Sequence, residues 1–308
     1  MSKIEKALER AGYEKNSRPT GRSGSHEAAP PLGAMVASTP ERRAKARREI
    51  ALMLEPEIRG EQELEQLRII HPAMPEASGV NAFRELRTKI IQASRGQGCA
   101  VLVTAPAGDS GTSFVAFNLG AAFAFDAENT AVVIDCNMRD PSFQRLPLAR
   151  GVKGITDYVE DPRLNVADVI HSVGIRRLRV VPAGDNRDVP AEYLSSVRMQ
   201  QLIQDIKQQY VERYVIVDAP PMTQAADVQV LLDFCDHVIL VVPSGKVTEA
   251  QVAACARTIG QRKLLGVVFN DVPRPPLDWR SRLGIPTWRR LGATVRNMAT
   301  HKKWRWRA

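Results

Sequence analysis

The sequence predicts an α/β fold in which a mostly parallel sheet is covered by helices on both faces. Short strand-like runs alternate with helix-like segments, and runs such as 238–242 are apolar throughout. Turn-forming or acidic segments follow several of these runs. Alternation of this kind favours βαβ units, and continuously apolar strands suit a sheet that is buried on both sides.

The individual elements follow from hydrophobic periodicity. A short apolar run bounded by polar or turn residues predicts a strand, and a longer segment with apolar residues three or four apart predicts a helix. The strands are expected at 100–104, 131–135, 178–182, 213–218, 237–242 and 265–270. The helices are expected at 80–94, 112–125, 153–159, 196–210, 224–233 and 248–260.

The rest of the chain flanks this domain, which is placed at 80–272. Residues 1–15 carry apolar side chains at helical spacing and predict a short helix. Residues 16–79 predict a flexible linker, rich in Ser, Gly and Pro, followed by a charged helix. Residues 273–308 form a basic tail that contains all four tryptophans.

The composition is that of an ordinary globular protein, with 308 residues of which 44% are hydrophobic and 25% charged. No apolar run reaches the roughly 18 residues that span a bilayer, and the N-terminus lacks a signal-peptide pattern, which predicts a cytoplasmic protein. The four cysteines show no CxxC spacing and are predicted to be buried, reduced thiols.

The net charge of +9 is concentrated at the C-terminus. Residues 271–308 contain ten Lys/Arg and two Asp, so this segment carries +8. Its Trp and Arg side chains suit a membrane surface or an anionic partner, and a solvated basic tail is the simpler alternative. No recognition motif supports nucleic-acid binding by this charge.

A strand-like run leads into the segment 105–113, Ala-Pro-Ala-Gly-Asp-Ser-Gly-Thr-Ser, which opens the next helix. This pattern predicts a phosphate-binding loop. Gly108 and Gly111 allow close approach of the backbone to phosphate, and Ser113 offers a hydroxyl to Mg²⁺. Thr112 stands where such loops place a lysine that neutralises the β- and γ-phosphates.

Two aspartates also end predicted strands. Asp135 ends the second strand and Asp218 the fourth. Taken singly, each is more simply a turn or cap residue. Because carboxyl ends of parallel strands meet at one edge of a sheet, Asp135 and Asp218 are instead candidate catalytic residues and, with Ser113, candidate Mg²⁺ ligands.

These segments together resemble the P-loop domain of bacterial tyrosine kinases of capsule and exopolysaccharide synthesis, which are relatives of the MinD/ParA ATPases. The segment that begins with Asp135 and includes Arg139 and residues 141–142 resembles the family's Walker A′ motif. Residues 217–221 resemble its Walker B motif. Further similarity lies in 1–8, 178–184, 190–199 and 266–272.

The resemblance implies a Rossmann-like P-loop NTPase fold that binds ATP or ADP with Mg²⁺. The residues that would bind nucleotide are Gly108, Gly111, Thr112, Ser113 and Asn270, the last beside the adenine. Ser113, Asp135 and Asp218 would lie at the metal.

The resemblance also implies partners. Arg84 and Arg87 match part of an oligomerisation motif and would contact a neighbouring subunit, although a solvated helix face is the simpler interpretation. A membrane chain-length regulator (polysaccharide co-polymerase) would be the partner, at the inner face of the bacterial cytoplasmic membrane.

The chain departs from the family at four places. Thr112 replaces the P-loop lysine, Asn137 replaces the second Walker A′ aspartate, and Asn81 replaces the glutamate of the oligomerisation motif. The family phosphorylates a C-terminal tyrosine cluster, but the last tyrosine here is Tyr214. These departures predict a degenerate, regulatory homologue with weakened nucleotide binding and inefficient phosphoryl transfer.

Two alternatives remain open. An active autokinase or ATPase would use the same site with a substitute cation, for which Lys153 and Arg139 are the candidates. A MinD/ParA-like positioning ATPase would need a membrane or DNA surface, and it would lack that group's second P-loop lysine because Ala107 stands there.

Overall fold

The computed structural model describes residues 58–74, 79–143, 146, 148, 151–185, 190–208 and 213–271. The helix predicted at 1–15 and the basic tail at 273–308 lie outside these residues, as does most of the linker region.

A seven-stranded sheet forms the centre of the described chain, with strand order β3-β4-β2-β5-β1-β6-β7. All neighbours are parallel except β3, which runs antiparallel to β4 at the edge. The predicted α/β fold is therefore confirmed. The strands are β1 Ala100–Thr104, β2 Thr130–Asp135, β3 His171–Ser172, β4 Leu178–Val181, β5 Arg213–Asp218, β6 His237–Pro243 and β7 Leu264–Asn270.

Nine helices lie within the described ranges. They are α1 Glu61–Gln66, α2 Val80–Ala93, α3 Thr112–Ala124, α4 Ile155–Glu160, α5 Val166–Val169, α6 Pro190–Leu194, α7 Val197–Gln208, α8 Ala225–Phe234 and α9 Glu249–Ile259. None of them combines the length and the apolar character that a membrane span requires.

Strand β1 shows why the sheet is central. Its side chains alternate between two cores: Val101 and Val103 join one apolar cluster, whereas Ala100 and Leu102 join the other. All of them are fully buried. An apolar residue at every position is therefore required, since helices cover both faces.

Residues 58–74, which the sequence places in the linker and charged helix, pack against the domain. Leu64, Ile69 and Ile70 are buried in the same apolar cluster as the first core residues of α2. Asn118 in α3 fixes this segment, because its side-chain oxygen accepts the Ile70 N–H at 2.8 Å and its amide group donates to the Arg68 carbonyl at 3.1 Å.

The strand ends fall within about one residue of the predictions. The elements that the sequence did not predict are β3, α5 and α6, which have two, four and five residues. Such short pieces contain less than one and a half turns or a single strand pair and show no periodicity. All four cysteines are buried and free, as predicted.

Candidate functional site

The loop at 105–113 lies between β1 and α3, as its motif predicts. Gly111 has φ 79°, a left-handed conformation that glycine adopts without strain, and it directly precedes the first residue of α3. The backbone N–H groups of the first helical turn have no partner within the helix and favour an anion. The loop therefore has the backbone geometry of a phosphate site.

Asn270, the last residue of β7, holds this loop. Its side-chain amide donates to the Ser110 carbonyl oxygen at 2.9 Å. A Cβ atom at Gly111 would overlap that same amide group, so the glycine is also required by packing. The predicted nucleotide-binding residue thus contacts the loop itself.

Thr112 is the first residue of α3 and is only partly buried. Its position in the loop is therefore the one expected for the P-loop lysine. A threonine side chain is short and uncharged, so it brings no positive charge to a phosphate bound here.

Asp135 and Asp218 lie side by side. They occupy opposite register positions at the ends of the parallel strands β2 and β5, and both are fully buried. The Asp135 carboxylate accepts the backbone N–H groups of Asn137 at 3.1 Å and Phe143 at 3.0 Å. Among the described residues, neither carboxylate oxygen of Asp218 has a hydrogen-bond partner.

Burial makes both carboxyl groups hard to ionise. Burial raises the pKa of Asp135 to about 7, against the opposing effect of its backbone hydrogen bonds. Burial, and then the charge of Asp135, raise the pKa of Asp218 well above its usual range, while the nearby Ser113 hydroxyl acts in the opposite direction. Two adjacent carboxyl groups of this kind are held neutral by protons or stabilised by a cation.

These residues fit a magnesium ion. A buried, unpartnered carboxylate is a favourable oxygen ligand, and Ser113 lies next to it at the first turn of α3. The Ser113 hydroxyl is hydrogen-bonded to that of Ser142 at 2.8 Å, so a second hydroxyl joins the group. In the described ranges, no group of three or more His, Cys, Asp or Glu side chains is arranged to hold a metal ion, so a metal here would also need oxygens from phosphate or water.

Of the two cations proposed as substitutes for the missing lysine, Arg139 is engaged in an ion pair. Arg139 forms an ion pair with the buried Asp227 of α8, with Nε and Oδ2 3.3 Å apart. Lys153 lines a surface depression with residues of α4 such as Asp157.

A different cation contacts the loop. The Lys246 ammonium group lies 3.3 Å from the Asp109 carbonyl oxygen. The sequence offered no signal for Lys246, which lies in none of the motif segments.

The two arginines predicted at a subunit contact differ from each other. Arg87 donates to the Ala122 carbonyl near the end of α3 at 2.8 Å and lies 3.8 Å from the Asp126 carboxylate. Arg84 is exposed, and its guanidinium contacts Asn81 at 3.4 Å. Arg87 therefore has a role within the domain, and an intersubunit role for Arg84 stays a prediction.

Sequence relatives of the chain are bacterial tyrosine kinases. It is 28% identical over 208 residues to the tyrosine-protein kinase YwqD of Bacillus subtilis, which covers 67% of this chain and 86% of the relative. It is 28% identical over 193 residues to the tyrosine-protein kinase CpsD of Streptococcus agalactiae, or 62% and 81% of the two chains. The match to the Escherichia coli tyrosine-protein kinase Etk spans 64% of this chain but 27% of the relative, at 27% identity.

Solved structures show the same fold. The chimerical protein CapA2B2 superposes with a TM-score of 0.59 at 24% identity, over 75% of this chain and all of the other. The kinase domain of Escherichia coli ETK superposes with a TM-score of 0.58 at 23% identity, over 71% of this chain and 89% of the other. No protein-family model matches the chain. The relatives confirm the resemblance inferred from the motifs.

Proposed function

We propose that this chain, a homologue of bacterial tyrosine kinases, is a regulatory protein of capsule or exopolysaccharide synthesis that binds nucleotide weakly and transfers phosphate inefficiently. It acts through docking to a partner rather than through turnover. Its relatives carry the name of tyrosine-protein kinases, and the folded chain keeps their architecture.

The observation that carries the proposal is Thr112 at the start of α3 in an otherwise ordered loop. The Asn270 side chain holds the loop by its hydrogen bond and packs against Gly111, and Asp218 and Ser113 lie beside the loop. The scaffold thus favours phosphate binding, whereas the side chain that would neutralise the phosphate charge is missing.

The magnitude of this loss separates binding from catalysis. A charge-assisted hydrogen bond contributes about 1.5–3 kcal/mol, so a missing lysine weakens nucleotide binding by roughly ten- to a hundredfold. Charge on the transferring phosphoryl group is stabilised more strongly in the transition state than in the ground state. The rate of phosphoryl transfer therefore falls further than the affinity.

The partner we propose is a membrane chain-length regulator, at the inner face of the bacterial cytoplasmic membrane. The basic segment 273–308, which lies outside the described residues, carries Trp and Arg side chains that suit such a surface. The absence of a tyrosine after Tyr214 supports docking that does not depend on phosphorylation of this tail.

A second candidate is an active ATP-dependent autokinase or ATPase. It is favoured by the pair Asp135 and Asp218, which remains assembled beside Ser113 with one carboxylate unpartnered. This arrangement could still hold Mg²⁺ at a bound nucleotide.

A genetic replacement separates the two functions. In the producing bacterium, deletion of the gene is expected to change the amount or length of the polysaccharide, whereas an Asp218→Asn replacement is expected to leave both unchanged. Immunoblotting confirms equal protein levels. If Asp218→Asn reproduces the deletion at a normal protein level, the regulatory proposal is wrong and the enzyme is favoured.

A further inference from the structure

We propose that Lys246 supplies the positive charge that contacts the terminal phosphates of a bound nucleoside triphosphate, in place of the lysine that Thr112 replaces. The proposal rests on the nucleotide binding put forward above. Lys246 lies in the loop between β6 and α9, apart from all the segments that resemble the kinase family. Folding, and not a sequence motif, brings it to the phosphate loop.

The contact between the two loops is direct. The Lys246 ammonium group donates to the Asp109 carbonyl oxygen at 3.3 Å, although the residues are 137 positions apart. They meet because β6 lies parallel to β1, with Leu240 opposite Thr104. Both strands end at the same edge of the sheet, so the loop after β6 reaches the loop after β1.

The backbone near Lys246 is held on both sides. The Ser244 N–H donates to the Asn270 carbonyl at 2.9 Å, and the Asn270 side chain donates to Ser110 in the phosphate loop at 2.9 Å. On the other side, Thr248 caps helix α9. The Lys246 side chain is exposed. The long, flexible Lys246 side chain therefore extends from a backbone that is held in place, and its ammonium group can move from the carbonyl oxygen to a phosphate.

The loop itself is built for a metal-bound phosphate. The N–H groups at the start of α3 favour an anion. Within the described residues, the buried carboxylate oxygens of Asp218 lack hydrogen-bond partners, which points to a cation beside that anion. A magnesium nucleoside triphosphate keeps a net negative charge, and Thr112 does not neutralise it. An ammonium group already on this loop can do so.

A structural role for Lys246 is the competing explanation, since its hydrogen bond could simply hold Asp109. A structural role would alter the affinity for every nucleotide equally, or the thermal stability. If Lys246 contacts the terminal phosphates, the loss of affinity on its replacement should instead grow with the number of phosphates in the ligand and shrink as added salt screens the charge. A series of ligands therefore separates the two.

The experiment is titration calorimetry of the full chain with MgATP, MgADP and adenosine. Lys246→Met, which removes the charge but keeps an unbranched side chain, is expected to weaken MgATP binding about fivefold or more, MgADP less, and adenosine not at all. Lys246→Arg should retain most of the MgATP affinity. The matched control is Lys89→Met, at an exposed position of α2, which should bind as the wild type does.

A double variant adds a second readout. If Lys246 replaces the missing lysine, Thr112→Lys should recover MgATP binding in the Lys246→Met background. An unchanged MgATP dissociation constant in Lys246→Met, or an equal loss for ATP and adenosine, overturns the proposal.

The outcomes distinguish this proposal from the regulatory function. A wild-type chain that does not bind MgATP overturns the role of Lys246 and the weak nucleotide binding proposed above, whereas regulation by docking without nucleotide stands. Wild-type phosphoryl transfer at the rate of active kinases contradicts the regulatory function, whereas a selective loss of MgATP affinity in Lys246→Met still supports the role of Lys246.

Discussion

At the residue scale, the two strand-end aspartates have different tasks. Asp135 accepts two backbone N–H groups and so shapes the loop that follows β2. The carboxylate oxygens of Asp218 accept no hydrogen bond from the described residues, although the residue is fully buried. Burying an ionised carboxylate without a partner is costly, so Asp218 is the residue whose charge depends most on a bound cation.

Asp218→Asn is expected to reduce the pH dependence of stability. Because burial raises the pKa of Asp218 in the folded state, the folded chain keeps a proton that the unfolded chain releases above about pH 4. The free energy of unfolding therefore falls as the pH rises from about 4 towards the raised folded pKa. Between pH 5 and 8 in Mg²⁺-free buffer, the wild type should lose at least about 1 kcal/mol more than Asp218→Asn.

Urea unfolding at both pH values measures this difference. Asp233→Asn, at an exposed position of α8, is the matched control and should keep the wild-type pH dependence. If the wild type and Asp218→Asn lose the same unfolding free energy between pH 5 and 8, burial does not raise the pKa of the Asp218 carboxyl group.

Gly111 gives a second prediction at this scale. The Cβ atom of Gly111→Ala would be strained by a left-handed backbone and would also overlap the Asn270 amide group. Gly96→Ala has only the left-handed backbone, with φ 74° and open space around the position. The shared backbone cost is about 1 kcal/mol. Gly111→Ala should cost about 1 kcal/mol more than Gly96→Ala, because the Asn270 hydrogen bond must break.

Thermal and urea unfolding give both costs. Asn270→Ala in the same chain should remove the extra cost of Gly111→Ala. If the two glycine variants lose equal stability, Asn270 does not hold the loop as described.

At the scale of elements, helix α3 joins the phosphate loop to the segment 58–74. Asn118 makes three hydrogen bonds from the interior of α3, to the Ile70 N–H and to the Arg68 and Phe114 carbonyl groups. It is almost completely buried. The segment therefore belongs to the packed structure, and one side chain of the helix that begins at the phosphate site contributes to its attachment.

Asn118→Ala is expected to lower the free energy of unfolding by about 2–3 kcal/mol, since it leaves buried backbone groups unpaired. Hydrogen exchange should rise in 64–71 more than in the strands. Thr258→Ala, which removes one exposed hydroxyl from α9, is the control and should have little effect on either measurement. Unchanged exchange in 64–71 would show that Asn118 does not hold the segment.

Sequence patterns predicted the strands well because each strand of the buried parallel sheet, such as β1 or β6, must be apolar at nearly every position. They also predicted that Asp135 and Asp218 end two of these strands, whereas the pairing of β2 with β5 that makes them neighbours comes from the structure. They could not predict Lys246 beside Asp109, because that contact depends on β6 lying next to β1. Likewise, a lone charged residue such as Arg87 gives no sign that it faces the end of α3.

At the scale of the whole molecule, the fold is shared with tyrosine kinase domains, and we propose that the phosphate chemistry is weakened. The sheet has the fold of a tyrosine kinase domain, and the carboxylate pair ends two of its neighbouring strands. The positions that depart from the family pattern, Thr112 and Asn137, lie in the phosphate loop and two residues after β2, whereas the core is continuous on both faces of the sheet. A packed scaffold whose phosphate loop carries threonine in place of lysine is consistent with the regulatory function proposed above.

The most direct test of this account is the single-turnover rate of γ-phosphate transfer or release from MgATP, measured with protein in excess for the wild type and Thr112→Lys. The wild type is expected to react at least about a hundredfold more slowly than an active bacterial tyrosine kinase, and Thr112→Lys to react about tenfold or more faster than the wild type, an increase that Asp218→Ala abolishes. A wild-type rate equal to that of active kinases, and lost in Asp218→Ala, would contradict it.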